Sequence, residues 1–304
     1  FWRNLKDQTF DYRKIEEQFD FKPSYIVKED MGFLKWMKEI WKKLNSSHPD
    51  IVLGSEFGIS TIIIILHKFV KKSHYKIVII NDDSYDMLVN NNQFTKRHAR
   101  AVKAMMPLVD DVINVEPRVA AYNQQKYQKG IYFPIICNDV IAKKRLERVL
   151  PISQNYVSKY QLEGKKVLLF VGRLVALKNV EFALRAFIKA NLDNTIFVIV
   201  GDGPEKEKLE KIAAGNPAVI FTGRLEGDEL YAWYNVGQVF TLPSYKEPFG
   251  AVTNEALVAG CKVLISKDAG SNCLVKDGKN GYIIDPHHET KFIEKLKLAF
   301  YSMK

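Results

Sequence analysis

The stretch VLLFVGRLVALKN, residues 167–179, decides the fold of the chain. Its first five residues are all apolar, and a short apolar run that ends at a glycine predicts a strand buried on both faces. Apolar residues at helical spacing follow directly, from Phe182 to Ala190. A buried strand that leads into a helix is the repeating unit of parallel sheets, so this stretch predicts an α/β protein.

The same alternation extends over most of the chain. Short β-branched or apolar runs predict ten strands, at 51–53, 76–80, 111–115, 131–136, 167–171, 195–200, 219–221, 239–242, 262–265 and 281–284. Amphipathic segments predict helices, among them 30–45, 57–70 and 288–302. A length of 304 residues corresponds to two domains at roughly 100–200 residues each. We therefore predict two α/β domains with parallel sheets.

The boundary between the two domains is predicted within 138–165, where a basic amphipathic stretch gives way to a polar segment. We assign residues 1–140 to an N-terminal domain, 141–165 to a linker and 166–304 to a C-terminal domain. The N-terminal part opens without a strand and a Gly-rich turn, so we expect its first βα unit to be absent. The chain begins with phenylalanine rather than methionine, so we expect the natural start to lie elsewhere.

The amino-acid composition excludes several classes of protein. Apolar residues make up 47% and charged residues 26% of the chain, which is typical of a folded globular protein. The longest apolar run, Ile62–Leu66, is far shorter than the ~20 residues of a membrane-spanning helix. The three cysteines fit neither a disulfide framework nor a zinc site, so we predict a reducing, cytoplasmic compartment.

The net charge of +10 favours an anionic partner. Residues 141–166 carry seven basic and two acidic side chains, and the stretch Lys143-Lys144-Arg145 is the densest part of this excess. Such a cluster fits either a solvated surface or peripheral contact with the inner face of a membrane. Basic and aromatic residues do not alternate along a stripe, so we expect no nucleic-acid partner.

Unusual residues gather at the predicted carboxyl ends of strands, where open parallel sheets bind ligands. Arg173 and Lys178 place two cations after one strand, and Gly250 precedes a predicted helix after another. Cations and the first N–H groups of a helix together form a cradle for a diphosphate. Glu247 and Glu255 flank this cradle. Because a carboxylate repels phosphate, we predict that both accept hydrogen bonds from sugar hydroxyls.

The stretch EPFGAVTNE, residues 247–255, resembles the E-x7-E signature of retaining glycosyltransferases with the GT-B fold. VGRLVALKN, VGDGP, FTGRL and AGSNCLVKDGKNGYIID surround it in the order typical of family 4 of these enzymes, the group 1 glycosyltransferases. The resemblance covers 165–285 and is weaker over 1–140, where PDIV, KIVIINDD and the segment 134–138 match the end of an acceptor domain. It implies two Rossmann-like domains whose parallel sheets face each other across a cleft.

The resemblance also implies a role for each matching residue. The implied catalytic residues are Glu247, which contacts the donor sugar, and Arg173 and Lys178, which bind the donor diphosphate. The implied donor-binding residues are Gly172, Arg224, Leu225, Phe249, Gly250, Ala251 and Glu255. Among them the backbone amides of the 249–251 turn contact sugar and phosphate, Glu255 holds the ribose, and Arg224 and Leu225 lie near the base. No metal ion and no cofactor are implied, since the nucleotide diphosphate sugar is a substrate.

The implied reaction moves a hexose from a UDP- or GDP-sugar to a hydroxyl of a saccharide or lipid-linked acceptor, with retention, in bacterial surface polysaccharide assembly. Two features depart from the family pattern. Ala269-Gly270-Ser271-Asn272 stands where a Gly-Gly pair and an acidic residue are usual, and the N-terminal Gly-rich loop that faces the acceptor is missing. The alternatives are a sugar-nucleotide epimerase of the same architecture and a non-catalytic nucleotide-sugar-binding protein.

Overall fold

The computed structural model describes residues 32–85, 88 and 96–301. The prediction that a first βα unit is absent concerns residues 1–31, which lie outside the described residues. Within the described ranges the chain forms two compact units. Unit 1 comprises residues 32–81 and 96–112, and unit 2 comprises the described residues from 82 to 88 together with 113–301.

Unit 1 is built from helices and parallel strands. Its elements are α1 (Phe33–Ser47), β1 (Ile51–Ser55), α2 (Ile59–Lys71), β2 (Lys76–Asn81) and α3 (Lys96–Met105). Strand β3 (Asp111–Asn114) begins in unit 1 and ends in unit 2, and β4 (Ile131–Tyr132) follows in unit 2. The first sheet has the strand order β1-β2-β3-β4, with Ile51 opposite Lys76 and Ile113 opposite Ile131.

A histidine and a tyrosine fix α2 to the core of unit 1. The Tyr75 hydroxyl donates a hydrogen bond to the Ile64 carbonyl at 2.8 Å, so it accepts one from His67 Nδ1 at 3.0 Å. Burial, with a smaller contribution from Lys71, lowers the pKa of His67 below its usual value. His67 is buried and contacts Asn45 through its other ring nitrogen at 3.2 Å, so it is a structural residue that joins α1 and α2 within unit 1.

Unit 2 contains a larger sheet and most of the helices. Its further helices are α4 (Pro117–Tyr127), α5 (Asp139–Arg148), α6 (Leu150–Lys159), α7 (Val180–Ala190), α8 (Lys206–Ala213), α9 (Gly227–Val236), α10 (Val252–Val258) and α11 (Glu289–Tyr301). Its further strands are β5 (Lys166–Val171), β6 (Thr195–Val200), β7 (Val219–Gly223), β8 (Val239–Leu242), β9 (Lys262–Ser266) and β10 (Gly281–Ile284). These six strands form a parallel sheet in the order β10-β9-β8-β5-β6-β7.

The apolar strands of unit 2 are buried because helices cover both faces of the sheet. Every residue of β6 is buried, and in β5 only Lys166 is not. Helices α5 and α6 pack against α9, where the Tyr156 and Trp233 rings stack with centroids 4.8 Å apart. The segment 141–165, which we predicted as a linker, therefore consists largely of two packed helices.

Each of the ten predicted strands is present in the structure, with ends that differ from the prediction by a few residues. The predicted α/β class with two parallel sheets is confirmed. The assignment of domains at 140 and 166 stays a prediction. Within the described ranges, no helix combines the length and the apolar character that crossing a bilayer requires.

Candidate functional site

The loop that follows β8 is fixed by backbone hydrogen bonds to the segment that follows β9. The Glu247 carbonyl accepts from the Gly270 N–H at 3.0 Å, and the Phe249 carbonyl accepts from the Ser271 N–H at 2.7 Å. Glu247 and Ala269 also form an isolated parallel bridge. The backbone that carries Glu247 is therefore anchored to the segment that follows a neighbouring strand.

The structure brings together two of the predicted catalytic residues. Lys178 ends a short 3-10 turn, Ala176–Lys178, and its Nζ donates to Glu247 Oε2. The Tyr245 N–H donates to the Leu177 carbonyl at 2.9 Å, so the two loops are also joined through their backbones. The Lys178 side chain is 19% exposed and the Glu247 side chain 12%, so this ion pair is mostly removed from water. Their attraction is therefore screened less than that of a surface pair.

Gly250 adopts a conformation that only glycine takes easily, with φ at +88°. A Cβ at this position would lie 2.6 Å from Leu242 Cδ2 and 3.1 Å from Glu247 Cγ, so the turn is also too tight for a side chain. In the following helical turn, the Thr253 N–H is the first to donate, and it donates to the Gly250 carbonyl at 2.9 Å. The amides of Gly250 and Ala251 thus precede the helical ladder, as the diphosphate cradle requires.

The Phe249 side chain is buried and 2% exposed, so only its backbone is available for the predicted contact with a ligand. Close by, the Ser244 hydroxyl is fully buried and has no hydrogen-bond partner among the described residues. Buried polar atoms are normally paired, so Ser244 is a position where a water or a ligand atom would be stabilised. No local pattern predicts this feature, since a serine after a proline is common in loops.

Glu255 is held by two tyrosines. Its Oε2 accepts from the Tyr234 hydroxyl at 2.7 Å and its Oε1 from the Tyr231 hydroxyl at 3.4 Å. Burial raises the pKa of Glu255 above the usual value, and the two hydroxyls and Arg145 oppose this rise. Glu255 and Glu247 therefore differ in environment, since one carboxylate faces phenols and the other an ammonium. A carboxylate so arranged retains lone pairs that can accept from ribose hydroxyls.

Sequence reasoning missed these partners of Glu255. The Arg145 guanidinium lies 4.1 Å from the centroid of the Tyr231 ring, and its Nε donates to Asp228 at 2.9 Å. The tyrosines stand in the stretch YAWY, residues 231–234, where aromatic residues at this spacing are more often core residues. Their bond to Glu255 spans more than twenty positions in the chain, and no local pattern reveals it.

The remaining predicted site residues lie at the carboxyl ends of β5 and β7. The Gly172 N–H donates to the Val200 carbonyl at 3.0 Å, so Gly172 continues the strand pairing at the end of β5. Arg173, the next residue, is exposed. At the end of β7, Arg224 is exposed and forms an ion pair with Glu226, with Nη2 to Oε1 at 2.5 Å, and Leu225 packs against the core. The structure thus joins Lys178 to Glu247 directly and leaves Arg173 and Arg224 exposed.

The fold and the site define a class of protein, namely a parallel α/β protein whose polar residues gather in loops at the carboxyl ends of strands. Residues 153–302 match the family model described as "Glycosyl transferases group 1". Through these residues the chain belongs to the group 1 glycosyltransferases.

Curated relatives are similar over the same part of the chain. The sulfoquinovosyl transferase of Arabidopsis thaliana is 36% identical over 140 residues, which is 45% of this chain and 27% of that protein. A GDP-mannose-dependent alpha-mannosyltransferase of Mycolicibacterium smegmatis is 35% identical over 123 residues, which is 40% of this chain and 31% of that protein. The chain thus spans only about a third or less of the length of these relatives.

Solved structures are similar over most of the chain. HepE of Anabaena, solved in complex with UDP, has a TM-score of 0.73 at 16% identity and covers 88% of this chain and 73% of its own. Sucrose-phosphate synthase from Thermosynechococcus elongatus has a TM-score of 0.69 at 19% identity and covers 92% of this chain and 72% of its own. At these identities the likeness concerns the fold, and the predicted GT-B class is confirmed.

Proposed function

We propose that this chain transfers a hexose from a UDP- or GDP-sugar to an acceptor hydroxyl, with retention of the anomeric configuration and without a metal ion. The observation that carries the proposal is the contact of Lys178 with Glu247 beside the Gly250 turn. It places a cation, a carboxylate and helix-start amides within one pair of loops. Family membership and the names of similar proteins support the same activity, since HepE was solved with UDP-glucose and two relatives use GDP-mannose.

In the proposed reaction, charge stabilisation accounts for most of the catalysis. As the glycosidic bond breaks, negative charge develops on the leaving diphosphate, and Lys178, Arg173 and the amides of Gly250 and Ala251 stabilise it. Glu247 orients the sugar through its hydroxyls and stabilises the positive charge that develops on the ring. A departing phosphate oxygen takes the acceptor proton on the same face of the sugar, so no covalent enzyme intermediate is formed.

Glu255 holds the ribose of the nucleotide in this proposal. The Tyr234 and Tyr231 hydroxyls fix the carboxylate, so its remaining lone pairs point in defined directions. Arg224 and Leu225, at the end of β7, lie on the side of the base. The nucleotide diphosphate sugar is consumed as a substrate, and no separate cofactor takes part.

The acceptor is proposed to be a saccharide or a lipid-linked saccharide in bacterial surface polysaccharide assembly, at the cytoplasmic face of the membrane. Support comes from the first turn of α5, where Val140 is 62% and Ile141 is 67% exposed. The exposed Lys143 and Lys144 follow directly. Apolar side chains beside lysines suit peripheral contact with an anionic lipid surface.

A ligand screen followed by product analysis tests the proposed function. UDP, GDP and ADP, each with and without a hexose, are added to the chain and the melting temperature is measured. A ligand that binds only the folded state at one hundred times its Kd stabilises it by about 2.7 kcal/mol. Transfer to an acceptor in the presence of EDTA supports the proposal. A changed sugar nucleotide without acceptor would identify an epimerase, and binding without turnover would identify a binding protein.

A further inference from the structure

A buried glutamate and an arginine lie outside the set of residues assigned to the proposed donor site. Glu116 precedes α4, and its side chain is completely buried. Its Oε2 accepts from the Tyr85 N–H at 2.7 Å and its Oε1 from Arg118 Nε. Burial raises the pKa of Glu116, and the hydrogen bond from Tyr85 and the charge of Arg118 oppose this rise. The carboxylate thus holds one edge of the Arg118 guanidinium in a fixed position.

This pair lies against the loop that carries Glu247. A Cβ at Gly270 would be 3.0 Å from Glu116 Cγ and 3.1 Å from Phe249 Cα, so Glu116 packs directly on the Gly270 backbone. The Gly270 N–H is the one that donates to the Glu247 carbonyl. Since Glu247 is proposed to contact the donor sugar, Glu116 packs on the backbone segment that anchors this proposed sugar contact.

Glu116 fixes the position of the Arg118 guanidinium, but the Arg118 side chain is still accessible to solvent. Its side chain is 42% exposed, and its centre lies 5.2 Å from the centroid of the Tyr85 ring. A guanidinium has five N–H donors, and Glu116 engages the one on Nε. The donors on the Nη atoms form a planar fork that matches two oxygens of a phosphate, a sulfonate or a carboxylate.

We infer that Arg118, held by Glu116, binds an anionic group that the substrate carries beyond the donor diphosphate, either on the transferred sugar or on the acceptor. This inference rests on the proposed function for the identity of the neighbouring sugar site. The charges of Glu116 and Arg118 partly cancel, so binding depends on the hydrogen-bonding fork more than on long-range attraction. Arg118 is in this way a specificity residue that distinguishes charged from neutral substrates.

The test compares wild type, Arg118→Gln and Arg185→Gln. Glutamine at 118 keeps a donor for Glu116 and removes the cation. Arg185 provides the matched control, since it also bonds a carboxylate through Nε, that of Glu181 at 2.8 Å, and is 55% exposed. Calorimetry measures the Kd of UDP, UDP-glucose and UDP-glucuronate. A second titration adds inorganic phosphate or glucose 1-phosphate to the chain saturated with UDP.

Wild type and Arg185→Gln are expected to bind at least one anionic probe about tenfold more tightly than Arg118→Gln does. A tenfold loss confined to UDP-glucuronate assigns the anionic group to the donor, and a loss confined to the phosphate probes assigns it to the acceptor. Equal affinities in all three proteins overturn the inference and leave the pair a structural one. If UDP does not bind, the proposed function fails, and phosphate binding to the unliganded chain then decides the role of Arg118 separately.

Discussion

Replacement of Lys178 by alanine removes the ammonium that faces Glu247 and leaves a carboxylate that is only 12% exposed. Exposed ion pairs contribute about 0–1 kcal/mol, and breaking a fully buried pair costs about 3–5 kcal/mol. With 19% and 12% exposure, this pair falls between these limits, so we expect Lys178→Ala to destabilise the chain by about 1–3 kcal/mol. That corresponds to a fall in Tm of roughly 3–10 °C.

The double variant Lys178→Ala/Glu247→Gln separates stability from catalysis. It removes the unpaired charge, so most of the lost stability is expected to return, while transfer stays more than tenfold below wild type, which is about 1.4 kcal/mol in the barrier. Lys189→Ala is the matched control, because Lys189 forms an ion pair with Glu289 but is 66% exposed. Its stability is expected to change by less than about 1 kcal/mol.

Two assays measure these effects, namely thermal unfolding without ligand and initial rates of transfer with the donor that the ligand screen identifies. If Lys178→Ala unfolds at the wild-type temperature, the pair contributes nothing in solution and the stability argument is wrong. If Lys178→Ala transfers sugar at the full rate, the leaving-group role of the lysine is wrong. If Glu247→Gln does so, the sugar contact of the glutamate is wrong.

Three further predictions concern separate features. Folding raises the pKa of the Glu255 carboxyl, so the ionised form of this group destabilises the folded chain at high pH. Glu255→Gln should therefore raise Tm at pH 7 but not at pH 4. The same variant should lower nucleotide affinity about tenfold. Gly250→Ala should cost about 1–3 kcal/mol in denaturant unfolding. This is more than the cost of Gly260→Ala, since Gly260 has a similar φ of +89° but open space around its Cβ. Ile141→Glu should reduce co-sedimentation with anionic vesicles several-fold, and the control Leu298→Glu, on α11, should not. Equal binding by both variants would show that the proposed membrane contact is wrong.

The strands were predictable because parallel sheets impose a strong local pattern. A strand covered on both faces must be apolar throughout, and the runs TIFVIV and VLLFV satisfy this requirement without any tertiary information. The packed helices within 141–165 were harder to predict, for the opposite reason. These helices bury only narrow stripes, such as Ala142 and Leu146 in α5, and most of their surface is polar. Composition alone could not distinguish that pattern from a solvated connection.

The loop residues of the candidate site could be selected from the sequence, but the side chains that contact them could not. Gly250 and Glu247 stand in one short motif, and the steric demand at Gly250 is local. The Lys178–Glu247 contact joins positions 69 residues apart, and the Glu116–Gly270 contact joins positions farther apart still. Such contacts depend on strand order, since β5 and β8 are neighbours in the sheet although three helices and two strands separate them in the chain.

The pairing of Lys178 with Glu247 has a consequence for how a donor is bound. Lys178 has one ammonium group, and Glu247 engages it. A donor diphosphate is a stronger anionic competitor for that group, and its sugar hydroxyls can replace the ammonium as hydrogen-bond donors to the carboxylate. A free nucleoside diphosphate can take the Lys178 ammonium, but it has no sugar hydroxyls to donate to Glu247. It therefore leaves the Glu247 carboxylate without a hydrogen-bond donor in a site with little water. The complete nucleotide sugar is therefore expected to bind more tightly than its nucleoside diphosphate, and Glu247→Gln should reduce that difference.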